Sequence, residues 1–159
     1  MKQDRFLLII LIFILLLTAT AVGVYLFRQG EQTYLADTTP ENIVRNYVLA
    51  LQKQDYQRAY SYLQKKEKTP TFTDFQETFF EQYSSLSETA IQITDTTIYD
   101  NNQATLELIV LHGGGAPFGS TWKEYTAAFL VKEGQTWKIA QFPTPYWGWN
   151  WDTQPPLYR

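Results

Sequence analysis

The 159-residue chain contains no cysteine, and that single absence excludes disulfides, thiolate catalysis, cysteine-based zinc sites and a lipid-modified N-terminal cysteine. It has one histidine, so no histidine cluster exists to hold a metal. There is no excess of positive charge: 13 Lys and Arg stand against 16 Asp and Glu, for a formal net charge of -3. A phosphate backbone would meet no basic stripe, which excludes nucleic acid as a partner. No residue pattern calls for a cofactor. The glycine run Gly113-Gly114-Gly115 lacks the lysine, the following hydroxyl residue and the strand-to-helix setting of a phosphate loop, and reads as a hairpin loop.

What the chain has in quantity is aromatic surface, with 5 Trp, 11 Tyr and 10 Phe. Without disulfides, stability must come from packing, and such side chains bury large areas each. One long apolar run is also present, from Phe6 to Phe27, free of charge. A helix of that length measures about 33 Å, enough for a hydrocarbon core of about 30 Å. The reading is a transmembrane anchor spanning residues 6–27, within a segment 1–27 that includes a cytoplasmic stub. Lys2 and Arg5 precede the span, and the positive-inside bias puts the N-terminus in the cytoplasm and the remainder outside. The alternative is a signal peptide cut after Ala19-Thr20-Ala21, leaving a secreted domain. The apolar run continues well past that site, which favours the anchor.

Residues 28–38 are polar and aperiodic, a linker that as a flexible coil would reach about 18 Å. Thr39-Pro40-Glu41 opens a helix, with a capping hydroxyl, a preset φ and a carboxylate at the positive end of the dipole. Ile43, Val44, Tyr47, Val48 and Leu51 follow at helical spacing, and Asp55 caps a second helix carrying Tyr56, Ala59, Tyr60 and Leu63. Lys65, Lys66 and Lys68 form an exposed basic cluster. A capping box over Thr73–Gln76 predicts a third helix, with Phe75, Phe79, Phe80 and Tyr83 on one face. Beyond Ser87 the period changes to two. Strands are predicted over Thr89–Tyr99, Ala104–His112, Ser120–Lys132 and Thr136–Phe142, with Leu106, Leu108 and Val110 sharing a face and Asp100–Gln103 as a turn. Helices followed by an antiparallel meander make an α+β fold, with helices packed on one side of a curved four-stranded sheet.

Pro40-Glu41-Asn42-Ile43-Val44-Arg45-Asn46-Tyr47, the run from Leu49 through Asp55-Tyr56 to Tyr60, and Gly134-Gln135-Thr136-Trp137-Lys138-Ile139 together resemble the nuclear-transport-factor-2-like superfamily. The resemblance covers residues 39–142 and implies a cone of sheet curled around N-terminal helices. It is closest in kind to small bacterial exported or membrane-tethered members without assigned chemistry. Enzymes of the superfamily place acid-base residues inside the cone, often Asp with Tyr or His nearby, and no residue here aligns with such a set.

His112, Asp95, Glu107 and Tyr125 are the only weak candidates for acid-base catalysis. His112 ends the Leu106-Leu108-Val110 face at the expected rim, and a histidine acts as a base only with a positioned partner. The structural alternative is a strand-end histidine bonded to backbone or water. Glu107 falls on the opposite face and reads as solvated or paired with Lys123 or Lys138. Asp95 and Tyr125 would make a proton-transfer pair only if the fold joined them. Residues 143–159 form a tail in which Tyr146, Trp147, Trp149 and Trp151 crowd together. At period two the three indoles would line one side of an extended segment. The tail then either folds back over apolar surface, offers a platform to a ligand or partner, or meets the membrane interface. The expected function is a non-enzymatic, membrane-tethered, extracytoplasmic binding module for a protein or small apolar ligand. The alternatives are a small cone-type isomerase- or hydrolase-like enzyme acting on an apolar molecule, or a structural part of an envelope assembly.

Overall fold

The computed structural model describes residues 3–28, 32–113, 119–148 and 151, and divides into two compact units, 1–33 and 34–159. The first unit is helix α1, Gln3–Arg28. Its window Phe6–Gly23 has a mean hydropathy of 2.9, and none of its residues is buried. It is long and apolar enough, by length and composition, to cross a membrane. Its two threonines, Thr18 and Thr20, return their hydroxyls to the carbonyls of Ile14 and Leu16 one turn earlier, which removes the cost of an unpaired donor.

In the second unit, α2 (Pro40–Gln52) starts as the sequence predicts: Thr39 accepts a hydrogen bond from the Asn42 N–H at 3.3 Å. Asp55 caps the short α3 (Tyr56–Ser61) by accepting from the Arg58 N–H. The third predicted helix differs. Its cap is Thr71, which accepts from the Asp74 N–H and donates its hydroxyl to the Asp74 carboxylate, so α4 runs Phe72–Glu81. With the start at Phe72, Phe75 and Phe79 face inward one turn apart, while Phe80, a further 100° round, is 71% exposed. Tyr83 opens a separate short helix, α5 (Tyr83–Ser87), which turns Leu86 into the core.

Four strands follow as an antiparallel meander: β1 (Thr89–Tyr99), β2 (Gln103–His112), β3 (Trp122–Glu133) and β4 (Thr136–Gln141). Asp100 and Asn101 take positive φ in the first turn, a conformation their side chains tolerate. β3 begins at Trp122, two residues later than predicted, because its partner β2 ends at His112 and the two are the last aligned pair. β4 stops at Gln141, since Phe142 is followed by a proline with no N–H to give. An extra residue between Ile93 and Asp95, and another opposite Phe129–Leu130, break the ladder and bend the sheet. The β4 edge is covered by the chain after α3: Gln64 N–H donates to Ile139 O, and Ile139 N–H to Tyr62 O, both at 2.8 Å.

The core lies between the concave sheet face and the helices. Leu106, Leu108, Leu130 and Ile139 meet Ile43, Val44, Tyr47 and Leu51 of α2. Two departures from the predicted layout position everything below. Residues 34–38, expected as linker, are bound to α2: the Asn46 amide accepts from Leu35 N–H and donates to Leu35 O, both at 2.8 Å, and the Asn42 amide donates to Ala36 O. The tail is a turn and not an extended strip; Tyr146 N–H bonds Pro143 O and Trp151 N–H bonds Gly148 O. It folds back, and Tyr146, Trp147 and Trp151 become core.

Candidate functional site

The sheet end where β2 finishes and β3 begins carries one constellation with chemical capacity. His112 and Trp122 are paired across the strands and stack with ring centroids 3.7 Å apart and 6° between planes. His112 Nε2 donates to Glu124 Oε2 at 3.0 Å. Glu124 lies two positions after Trp122, so the pleat puts both on the concave face with His112. The histidine thus has the positioned partner that acid-base work requires, a residue that no local sequence pattern identifies. Trp122 remains 55% exposed. The three side chains make a rim and not a closed chamber.

A second polar cluster fixes the chain entering α2. The Arg58 guanidinium lies 3.6 Å above the Tyr34 ring, and its Nε donates to the Tyr62 hydroxyl at 3.0 Å. The Tyr62 hydroxyl donates to Asp37 at 3.0 Å, the Asn46 amide donates to the same carboxylate at 2.6 Å, and the Tyr34 hydroxyl donates to Asp55 at 3.3 Å. Burial first, and the Asp55 carboxylate second, push the Tyr34 phenol above its ordinary value. Burial raises Tyr62 as well, with Asp37 acting in the same direction against the pull of Arg58. The hydrogen bond to Tyr62 keeps the guanidinium more firmly protonated. Asp37, Asp55, Gln57, Arg58, Ser61 and Tyr62 line an open depression of about 470 Å³ here.

The other sequence candidates lie elsewhere. Asp95 and Glu107 are cross-strand neighbours on the convex face, both exposed. Tyr125, opposite Ile109 on that same face, is 77% exposed. The fold therefore does not bring Asp95 or Glu107 into a cavity with His112. Of the tail candidates, Tyr146 is fully buried and Trp147 and Trp151 nearly so; Trp149 lies outside the described residues, as does most of the Gly113–Pro117 loop. The buried Tyr146 carbonyl accepts from the Tyr47 hydroxyl at 2.7 Å, and its own hydroxyl meets Thr89 at 2.9 Å. Trp147 Nε1 is buried without a hydrogen-bond partner among the described residues, beside a depression of about 300 Å³ formed with Gln82, Ser85, Thr144 and Pro145. No group of three metal-ligating side chains gathers among the described residues.

Residues 39–144 match the family model described as the NTF2-like N-terminal transpeptidase domain. The chain belongs to this family. Curated protein sequences give no match. Among solved structures, the NTF2-like chain is similar to an NTF2-like protein of unknown function from Shewanella oneidensis, at 13% identity and a TM-score of 0.47, covering 62% of this chain and 88% of that one. A ketosteroid isomerase-like protein from Erwinia carotovora atroseptica is 13% identical with a TM-score of 0.45, covering 69% and 92%. A SEC-C motif-containing protein from Rhodopseudomonas palustris is 11% identical with a TM-score of 0.48, covering 67% and 79%.

In this NTF2-like domain the space between sheet and helices is occupied by aromatic rings. Phe75 stacks on Trp151 at 5.5 Å, Phe79 meets the same indole edge-on at 5.7 Å, and Trp147 packs against it at 5.2 Å. Tyr47 and Phe142 continue the series at 5.3 Å. The tail supplies two of these six rings, Trp147 and Trp151.

Proposed function

We propose that the chain is a non-enzymatic, membrane-tethered, extracytoplasmic binding module that meets a protein partner through its surface. The observation that supports this most directly is the filling of the cone by Phe75, Phe79, Trp147 and Trp151. Side chains packed at interior density leave an apolar substrate no volume to enter, while the convex face, the rim and α4 keep large aromatic groups exposed. Such groups are the usual anchors of interfaces. The family description attaches the domain to transpeptidases, and an accessory binding role suits it. Tethering is supported by α1, which runs unbroken through Ala21 to Arg28 with no charged residue between Phe6 and Gly23; Lys2 and Arg5 ahead of Phe6 favour a cytoplasmic N-terminus.

The absence of cysteine permits a clean test. Single-cysteine variants Lys2→Cys and Asp100→Cys, exposed in intact cells to a membrane-impermeant maleimide, should be labelled only at position 100, on a chain of full mass. Labelling at position 2, or a chain shortened by about 20 residues, would overturn the tethered arrangement. A second reading, an acid-base enzyme, is favoured by the His112–Glu124 hydrogen bond alone. It requires that His112→Ala abolish a cellular function that Trp122→Phe leaves intact.

A further inference from the structure

Charge is divided unevenly along this chain. Between Thr69 and Trp122 stand seven carboxylates and neither lysine nor arginine, whereas Arg45 to Lys68 holds six cations against Asp55 and Glu67. The cation-free stretch supplies α4, α5, β1 and β2, and its last residue is the exposed tryptophan of the rim. At that rim, Glu124 gives Oε2 to His112 and keeps Oε1 free of any hydrogen bond within the described protein. Glu88 sits alongside: its carbonyl accepts from Gly113 N–H at 2.8 Å, and its Cβ lies 3.9 Å from the point where a Gly113 side chain would begin. Lys123 belongs to the opposite face of the sheet, in register with Leu111. Apart from His112, the charges facing this spot are therefore negative.

Building on the binding-module reading, we propose that Trp122 and Glu124 receive an arginine side chain from the partner protein. One face of the indole is covered by the His112 imidazole and the other is open. A guanidinium is planar and weakly hydrated, so it stacks on an indole while its N–H edge reaches a carboxylate beside the ring; an ammonium, compact and strongly hydrated, does the first of these poorly. The molecule already stacks one guanidinium on an aromatic ring, where Arg58 lies 3.6 Å from the Tyr34 ring centroid.

The test is titration of the full chain, in uncharged detergent micelles and with tryptophan labelled by nitrogen-15, with the peptide acetyl-Gly-Arg-Arg-Arg-Gly-amide. The Trp122 indole N–H resonance, assigned by its loss in Trp122→Phe, should shift saturably. Glu124→Gln should weaken binding at least fivefold and Glu107→Gln, on the convex face, less than twofold; the citrulline peptide should produce no shift. Unchanged Trp137 and Trp147 resonances report that each variant is folded. A Trp122 signal that stays still, or equal weakening by Glu107→Gln, would overturn the proposal. So would a larger shift with ethanolamine or choline phosphates, which would assign the site to lipid amines, or a shift that needs only raised protein concentration, which would assign it to the basic half of a second copy. If a photocrosslinker at Phe80 captures one defined protein in intact membranes and one at Trp122 captures none, the module reading stands and the arginine site falls.

Discussion

Asn46 is the most constrained polar side chain of the domain: 1% exposed, it satisfies both backbone groups of Leu35 and also reaches Asp37. Truncating it leaves the Leu35 N–H and C=O without their partners in a part-buried place, at about 1 kcal/mol. Asn46→Ala should lower the thermal midpoint and open the 32–39 segment to protease, whereas the exposed Asn102→Ala should do neither. Gly148 is constrained by space. A Cβ there would stand 2.3 Å from the Trp151 ring, so Gly148→Ala should displace that indole from Phe75 and destabilise by about 1–3 kcal/mol, read by thermal unfolding and by loss of near-ultraviolet tryptophan dichroism. Neither constraint was legible beforehand. An asparagine in a helix and a glycine between tryptophans carry no periodicity, and their partners lie in segments whose return to the domain depends on tertiary contacts.

At the scale of elements, α2 shows what local chemistry does determine. Its cap, its proline and its buried face follow from Thr39, Pro40 and the spacing of Ile43, Tyr47 and Leu51, and all are observed. Glu41 in its first turn is held below the ordinary glutamate value of 4.5: burial pushes it up, but hydrogen bonds from Thr96, its own backbone and Thr39 outweigh this. A carboxyl depressed in the folded state stabilises above its unfolded value, and the contribution is lost as pH falls through the folded one. Glu41→Gln should therefore cost about 0.5 kcal/mol at pH 7 and nothing in strong acid, with the two melting curves converging below pH 4.5. The inward face of β2 was equally readable from alternation, as Leu106, Leu108 and Val110 are all buried. The start of α4 was not, because Thr71 and Thr73 offer nearly the same cap and only the burial of Phe75 with Phe79 decides between them.

For the whole molecule, the sequence carried the α+β order, the apolar N-terminal helix and the NTF2-like fold, since each rests on long periodic patterns. The rim site was half legible: His112 was placed at the strand end, but Glu124 joins it only through a cross-strand register that no local pattern specifies. The aromatic interior has a collective consequence. Burial raises the phenols of Tyr47, Tyr56, Tyr62, Tyr146 and Tyr34, the first of them well above 10. Groups raised in the folded state stabilise below their unfolded value and lose that contribution as pH rises above it. The domain should hold its stability to about pH 10 and then unfold, with tyrosinate absorbance at 295 nm appearing together with the loss of tryptophan dichroism; independent, gradual ionisation without unfolding would contradict an interior packed with phenols. The central claim, a filled cone that binds through its surface, is tested most directly by native mass spectrometry of the full chain released in detergent from its own membranes. The bare chain mass, alone or with one protein partner in fixed ratio, is the expected result. A small molecule retained by the bare chain and lost only on unfolding would contradict it.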